Sequence, residues 1–335
     1  MYETFYGLRE RPFDLTPNPR YLVLTTAHRE ALSNLEYAIA SRKGMTLLIG
    51  EAGSGKTTVI RAALERQPDR VHYVHLHNPA LTRDEFIEML AVRFDLSARA
   101  QESKTTLLLE LESLLRRRHE AGETTVLVVD EAQSLPVELL EEIRLLANIE
   151  TNDQKLLSVI MAGQPELAVR LSEPALRQLK QRIALRCELQ PLSAQETAAY
   201  LAGRVSAAGG GAAQVFTREA VAAIHEASGG VPRTISVIAD NVLLTAFAVG
   251  QRPATRQIVL DVCRDFDIAM SGNGVQSGPG YPARVLPTSK PAQAHDRLLA
   301  VESQPAVAPL RPETKSKTPM FSVMFGKRRR FSFFF

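Results

Sequence analysis

Two short stretches of the chain hold residues whose types and spacing could do chemistry: "GEAGSGKTT" from Gly50 to Thr58 and "VLVVDEAQSL" from Val126 to Leu135. The first satisfies G-x-x-x-x-G-K-[ST] with Gly50, Gly55, Lys56 and Thr57, and it stands between an apolar run and a helical pattern, the context the motif requires. Glycines let such a loop wrap closely around oxygen atoms, while backbone N–H groups and the following helix N-terminus supply positive potential. Glu51, Ala52, Gly53, Ser54 and Thr58 complete the expected contact set. Lys56 is expected at the β- and γ-phosphates, and the Thr57 hydroxyl is expected on magnesium. The ligand expected here is a nucleoside triphosphate; the bland alternative is an ordinary Gly-rich turn between strand and helix.

The second stretch ends four aliphatic residues in two adjacent carboxylates, Asp130 and Glu131. They cannot all be buried alike, so the pair is expected where a buried strand emerges at the edge of a sheet. Asp130 then partners the magnesium beside Thr57, and Glu131, one residue further on, faces the γ-phosphate and polarises the attacking water. The competing explanation is that "DEAQS" caps the next helix, whose pattern "PVELLEEIRLLANI" follows at once. Gln133 and Ser134 are expected to shape the loop.

Both stretches need elements that deliver them. Short runs rich in Val, Ile and Leu, "GMTLLIG", "VHYVHLHN", "TTVLVVD", "LLSVIMAG" and "ALRCELQPL", alternate with helical patterns, which predicts a mostly parallel sheet covered on both faces over residues 44–192. From 193 to 268 the pattern is helical only, opening at Ser193 and Glu196 with capping-box spacing, and is expected to form an all-helical lid. The "GGG" at 209–211 marks a loop between lid helices. Residues 1–43 form an N-terminal segment whose Phe5, Tyr6, Phe13 and Tyr21 are expected to pack as core. Residues 269–335, dense in Pro, Gly and Ser, are expected to be a disordered tail. The fold class is thus α/β: a P-loop parallel-sheet core with a C-terminal helical lid.

With 335 residues, 45% of them hydrophobic, the chain can bury more than one core, and its net charge of +3 is too small to suggest a protein built mainly to coat nucleic acid. Cys187 and Cys263 stand far apart without CxxC spacing or nearby histidines, which argues against a zinc site or a disulfide framework and fits a reducing compartment. The first dozen residues lack an apolar signal region and no apolar run approaches 18 residues, so a cytoplasmic location is expected. His72, His75 and His77 along the second strand suggest a metal on one strand face, set against an ordinary polar face.

In order along the chain, "GEAGSGKTT", "VLVVDEAQSL", "LLSVIMAGQPEL", "LKQRIALRCELQPLS" and "GGVPRTI" resemble an AAA+ ATPase, and the opening "MYETFYGLRERPFDLTPNPRYLVLT" resembles the ExeA/GspA-type secretion ATPases. The likeness runs from residue 1 to about 268, and the N-terminal block is its family-specific part. The resemblance implies ATP and Mg²⁺ as ligands and ATP hydrolysis as the activity. It places Gln164 as the sensor-1 polar residue, against a plain helix cap before Pro165. It places Arg233 of "GGVPR" as sensor 2, aimed from lid to nucleotide, against a solvated arginine. Arg182 is implied as an arginine finger reaching a neighbouring subunit, with Arg177 and Arg186 as rivals, hence a homo-oligomer. Full-length members carry a membrane span and a periplasmic peptidoglycan-binding domain, and neither is legible in residues 269–335. Instead the end "GKRRRFSFFF" could contact an anionic membrane surface, which suggests a place at the periphery of the inner membrane. Envelope secretion or export proteins are the implied partners; the alternative is an ATP-gated DNA-binding regulator resembling the AAA+ ATPases of transposition.

Overall fold

The computed structural model describes residues 1–15, 25–76 and 81–268. Five strands form one parallel sheet in the order β2-β3-β4-β1-β5: β1 Met45–Gly50, β2 Val71–Leu76, β3 Thr124–Val129, β4 Leu157–Gly163 and β5 Ile183–Leu189. Each lies within or beside an apolar run picked out by composition. The tail 269–335, His77 and Tyr21 lie outside the described residues.

The three central strands are buried on both faces, and the side-chain period of two sorts them between two cores. Leu47, Ile49, Leu127, Val129, Val159 and Met161 point into one, against the helices Arg83–Arg93, Lys104–Glu120 and Val137–Leu146. Leu48, Val126, Val128, Ile160 and Ala162 point into the other, against Thr26–Ala40 and Lys56–Glu65. Continuous Val/Ile/Leu runs are what such two-sided burial demands. At the sheet margin, β5 exposes alternate residues and its apolar pattern is correspondingly broken.

The helices Ala194–Ala207, Arg218–Ser228, Pro232–Ala248 and Arg256–Asp265 bury a third core. Ser193 and Glu196 close the first of them with the reciprocal hydrogen bonds of a capping box. Tyr2, Tyr6, Leu8 and Phe13 join this helical core, whereas Ala31, Leu32, Leu35 and Ile39 pack on the sheet, so residues 1–43 are divided between two cores. Tyr6 and Phe13 are buried packing groups, as their area favours.

Arg204 anchors the N-terminal stretch. It is buried, donates through Nε to the Pro12 carbonyl at 2.6 Å and through Nη2 to the Asp14 carbonyl at 2.9 Å, and lies over the Phe13 ring. Arg204→Ala would leave these carbonyls without their charged donor, costing about 2–3 kcal/mol. The expected result is a lower thermal midpoint and faster protease cleavage near residues 12–15, followed by mass spectrometry.

The three histidines do not share a face. His72 and His75 are three residues apart on β2, which directs them to opposite sides of the sheet. His72 Nε2 meets Glu123 at 2.9 Å, while His75 Nε2 lies 3.8 Å from Asp130. Among the described residues no group of three or more His, Cys, Asp or Glu side chains is placed to hold a metal, so the expectation of a shared histidine face is corrected by strand period. Among the described residues, no helix is long and apolar enough to cross a membrane.

Candidate functional site

β3, β4 and β1 are neighbours and parallel, in register through Val129↔Met161 and Ile49↔Gly163. Their carboxyl ends therefore release Asp130, Gln164 and the glycine-rich loop at the same edge, where open α/β sheets bind their ligands.

The loop 51–55 turns β1 into the helix Lys56–Glu65. Gly53 and Gly55 have φ of +81° and +98°, in the left-handed region that favours glycine. A Cβ on Gly53 would also come within 2.5 Å of Arg233 Cβ, and one on Gly50 within 2.5 Å of Ser54 Oγ. The sequence requirement for Gly50, Gly53 and Gly55 is thus steric. Ala52 and Glu51 stay exposed at the loop tip, and Ser54 is buried.

Lys56 is only 4% exposed, and its ammonium donates to the carbonyls of Gly50 at 2.8 Å and Glu51 at 3.1 Å. Burial pushes its pKa down, with Glu131, Asp130, Glu51 and Glu166 pulling the other way. An anion placed beside this ammonium would restore the solvation it lacks.

Thr57 Oγ1 donates to Asp130 Oδ2 at 2.6 Å. Asp130 N–H donates to Leu76 O at 3.1 Å, continuing the β2–β3 pairing by one residue, which brings a charged group 6% exposed to the end of a buried strand. Burial opposes its ionisation, but His75, Thr57 and the Glu131 N–H together hold the carboxyl below its usual range. A hydroxyl and an ionised carboxylate side by side are the hard oxygen donors that magnesium takes, and the residues present fit that ion.

Glu131 has φ of +52°, which turns its side chain out of the strand direction. Its Oε2 accepts from Gln133 Nε2 at 2.6 Å and from Gln164 Nε2 at 3.2 Å. Ala132–Ser134 is a single 3₁₀ turn, and the helix Val137–Leu146 starts after Pro136 without a side-chain cap, so "DEAQS" does not serve as that helix's cap. Gln164 stands at the N-cap position of Pro165–Arg170 but makes no capping bond; its amide goes to Glu131 instead. Gln133 bridges the two, accepting from Gln164 N–H at 3.1 Å, with its own carbonyl held by Arg170 Nη1. A Cβ on Gly163 would press to 2.9 Å from Gln133 Oε1.

Arg233 follows the turn Gly229–Gly230 and Pro232, the first residue of its helix. A Cβ on Gly230 would collide with Leu192 O, so this close approach needs glycine. The Arg233 N–H donates to Gly53 O at 3.1 Å, tying the helical bundle directly to the loop, and its side chain is exposed there. Thr58 lies in the first turn after the loop. Arg182 does not join this cluster: it is exposed just before β5, whose Ile183 pairs with Met45 at the opposite end of β1. Arg177 is likewise exposed, and Arg186 lies 3.6 Å from Glu188.

Two residues join the site beyond those expected to act in it. One is Gln133, expected only to shape a loop. The other is His28, 4% exposed, whose Nε2 lies 3.0 Å from Ser54 O and whose Nδ1 lies 2.7 Å from Thr25 Oγ1. Burial pushes the His28 imidazole below its ordinary value, partly offset by Ser54 and by Glu196. Below pH of about 6.5 the unfolded chain takes up a proton that the folded chain resists, so stability is complete above that value and declines as pH falls through it. Thermal melts at pH 7.5 and 5.5 should show this decline, and it should shrink in His28→Leu.

Comparison with known proteins agrees with this fold. A family model described as an AAA domain matches residues 39–171. Over 250 residues the chain is 42% identical to general secretion pathway protein A of Aeromonas hydrophila, a match covering 75% of this chain and 46% of that protein. The chain thus spans about half the length of this curated relative. Among solved structures, it is similar to the ORC2 protein of Aeropyrum pernix in ADPNP–ADP complexes, with TM-score 0.58 and 17% identity over 76% of this chain and 71% of that one. It is also similar to Cdc6p of Pyrobaculum aerophilum, with TM-score 0.55 and 17% identity over 76% and 70%. At such identity these two likenesses speak to the fold alone.

Proposed function

The chain belongs to the AAA+ ATPases of the general secretion pathway protein A (ExeA/GspA) type, and from that premise we propose that it binds ATP with magnesium and hydrolyses it to ADP and phosphate, remodelling or regulating an envelope secretion or export assembly. The observation that carries the hydrolytic reading is the convergence of Lys56, the Thr57–Asp130 pair and the Glu131–Gln164 pair at the carboxyl ends of β1, β3 and β4.

Each residue has a task that follows from its surroundings. Lys56, desolvated and held by the carbonyls of Gly50 and Glu51, binds the β- and γ-phosphates. Thr57 and Asp130 would hold the magnesium, which when bound neutralises charge on the phosphate oxygens. Glu131, carried out of the strand by its left-handed backbone, accepts the proton of the attacking water, and Gln164 orients both. Arg233, exposed above Gly53, adds a cation from the helical bundle, so nucleotide and bundle position are coupled. Arg182 completes the site of a neighbouring subunit in a homo-oligomer.

The reading divides the chain into an N-terminal segment 1–43, a core 44–192, a lid 193–268 and a tail 269–335. The protein acts from the cytoplasmic side, at the periphery of the inner membrane, with envelope secretion proteins as partners. Steady-state ATP hydrolysis by the purified protein, with and without double-stranded DNA at fixed low salt, tests this proposal. Magnesium-dependent turnover indifferent to DNA is expected. Turnover raised severalfold by DNA would replace the secretion role with that of an ATP-gated DNA-binding regulator, and no turnover in any condition would remove the enzyme.

A further inference from the structure

We propose that His28 is a positioning residue for nucleotide binding: its imidazole pins the Ser54 carbonyl and so turns the Gly55 N–H toward the bound phosphates. The inference rests on the nucleotide-binding reading above.

The hydrogen bonds leave one protonation state for the ring. Ser54 O can only accept, so His28 Nε2 at 3.0 Å carries the proton. Nδ1 of the neutral ring is then an acceptor, and the Thr25 hydroxyl donates to it at 2.7 Å. Thr25 Oγ1 in turn accepts from the His28 N–H at 3.3 Å, capping the helix Thr26–Ala40. Burial of the ring favours this neutral form.

The consequence for the loop follows from peptide geometry. Across a planar trans peptide the carbonyl of one residue and the N–H of the next point in opposite directions. Fixing Ser54 C=O toward His28 therefore fixes the Gly55 N–H on the far side, one residue before Lys56. The flanking bonds, Ser54 N–H to Glu51 O at 3.0 Å and Val59 N–H to Gly55 O at 3.0 Å, lie on the neighbouring peptides, and Gly55, at φ of +98°, has the backbone freedom of glycine between them. A Cβ at position 55 would come 3.3 Å from His28 Nε2, so ring and glycine are matched. The helical bundle comes close as well: Glu196, in its capping box with Ser193, lies near His28. The loop is thus preorganised from the helix preceding β1 and held in common with the bundle that carries Arg233. Preorganised donors contribute to binding because their ordering cost is met before the ligand arrives.

The test uses the full chain with His28→Leu and His28→Gln, which occupy similar volume; only Gln can donate to Ser54 O. Affinity for a fluorescent ATP analogue and for ADP is measured, together with kcat, KM and the thermal midpoint. The expected result is a tenfold or greater loss of affinity in His28→Leu, seen in KM more than in kcat. His28→Gln should recover most of that loss at a similar thermal midpoint, which a purely structural role would not produce. Nitrogen-15 NMR of the wild-type ring should show protonated Nε2 and unprotonated Nδ1. Wild-type affinity in His28→Leu, equal losses in Leu and Gln, or a ring protonated on Nδ1 alone would each overturn the assignment. A wild-type protein that binds neither nucleotide would instead overturn the reading beneath it, and the assignment with it.

Discussion

Glu131→Gln is expected to bind ATP as the wild type does and to turn it over about 10²- to 10⁴-fold more slowly, the range a positioned general base supplies. The substitution is nearly isosteric, and its amide oxygen can still accept from Gln133 Nε2 and Gln164 Nε2, which now hold Oε2 at 2.6 and 3.2 Å. What it loses is the negative charge and basicity that draw a proton from water, while Lys56, Thr57 and Asp130 keep their contacts with one another and with the loop. The variant should therefore accumulate ATP-bound protein, read by retention of unhydrolysed radiolabelled nucleotide after rapid gel filtration. Lys56→Ala is the contrasting control, since removing the buried ammonium removes phosphate binding itself. Hydrolysis by Glu131→Gln at the wild-type rate would mean that the water is activated elsewhere and that Glu131 serves the loop alone.

The contrast between these two variants depends on groups of different legibility. The glycine-rich loop and the two acids could be read directly, because their chemistry is set by residue type at short spacing and because buried parallel strands write themselves as unbroken aliphatic runs. The sheet and its two cores followed from the same runs. Gln164 was legible only through family resemblance: beside Pro165 it reads equally as a helix cap, and the choice is made by Glu131, 33 residues away in sequence. His28 carried no local signal at all. Its partners are a neighbouring threonine and a carbonyl 26 residues on, and an isolated histidine on an amphipathic helix looks like any packed histidine. Arg204 was invisible for the same reason, since it satisfies the backbone carbonyls of Pro12 and Asp14, some 190 residues away in sequence. The histidines of β2 show the opposite failure, a pattern that looked meaningful until strand period separated His72 from His75. Residue type predicts chemistry where neighbours in sequence are neighbours in space, and it fails where a distant backbone atom is the partner.

Arg182→Ala is expected to lower turnover by about 10³- to 10⁵-fold with nucleotide affinity retained, the range for an arginine finger acting in trans. Position is the ground for this. Ile183 pairs with Met45 at the start of β1, whereas the phosphate loop follows Gly50 at its end, so roughly 16 Å of strand separates Arg182 from the site of its own chain. It is exposed at the turn into β5, free of the ion pair that engages Arg186 with Glu188 on the strand itself. Such an arginine can stabilise transition-state charge only in a neighbouring subunit, and that makes a prediction no single chain can satisfy. Arg182→Ala has an intact site and no finger; Glu131→Gln has a finger and a disabled site. Mixing the two inactive proteins should restore part of the wild-type turnover, because sites with Glu131 then receive Arg182 from the other variant. Full activity in Arg182→Ala alone, with loss in Arg177→Ala or Arg186→Ala, would move the finger to that residue. Inactivity of every mixture, despite co-assembly seen by size-exclusion chromatography, would place Arg182 outside catalysis and leave the subunits independent in chemistry.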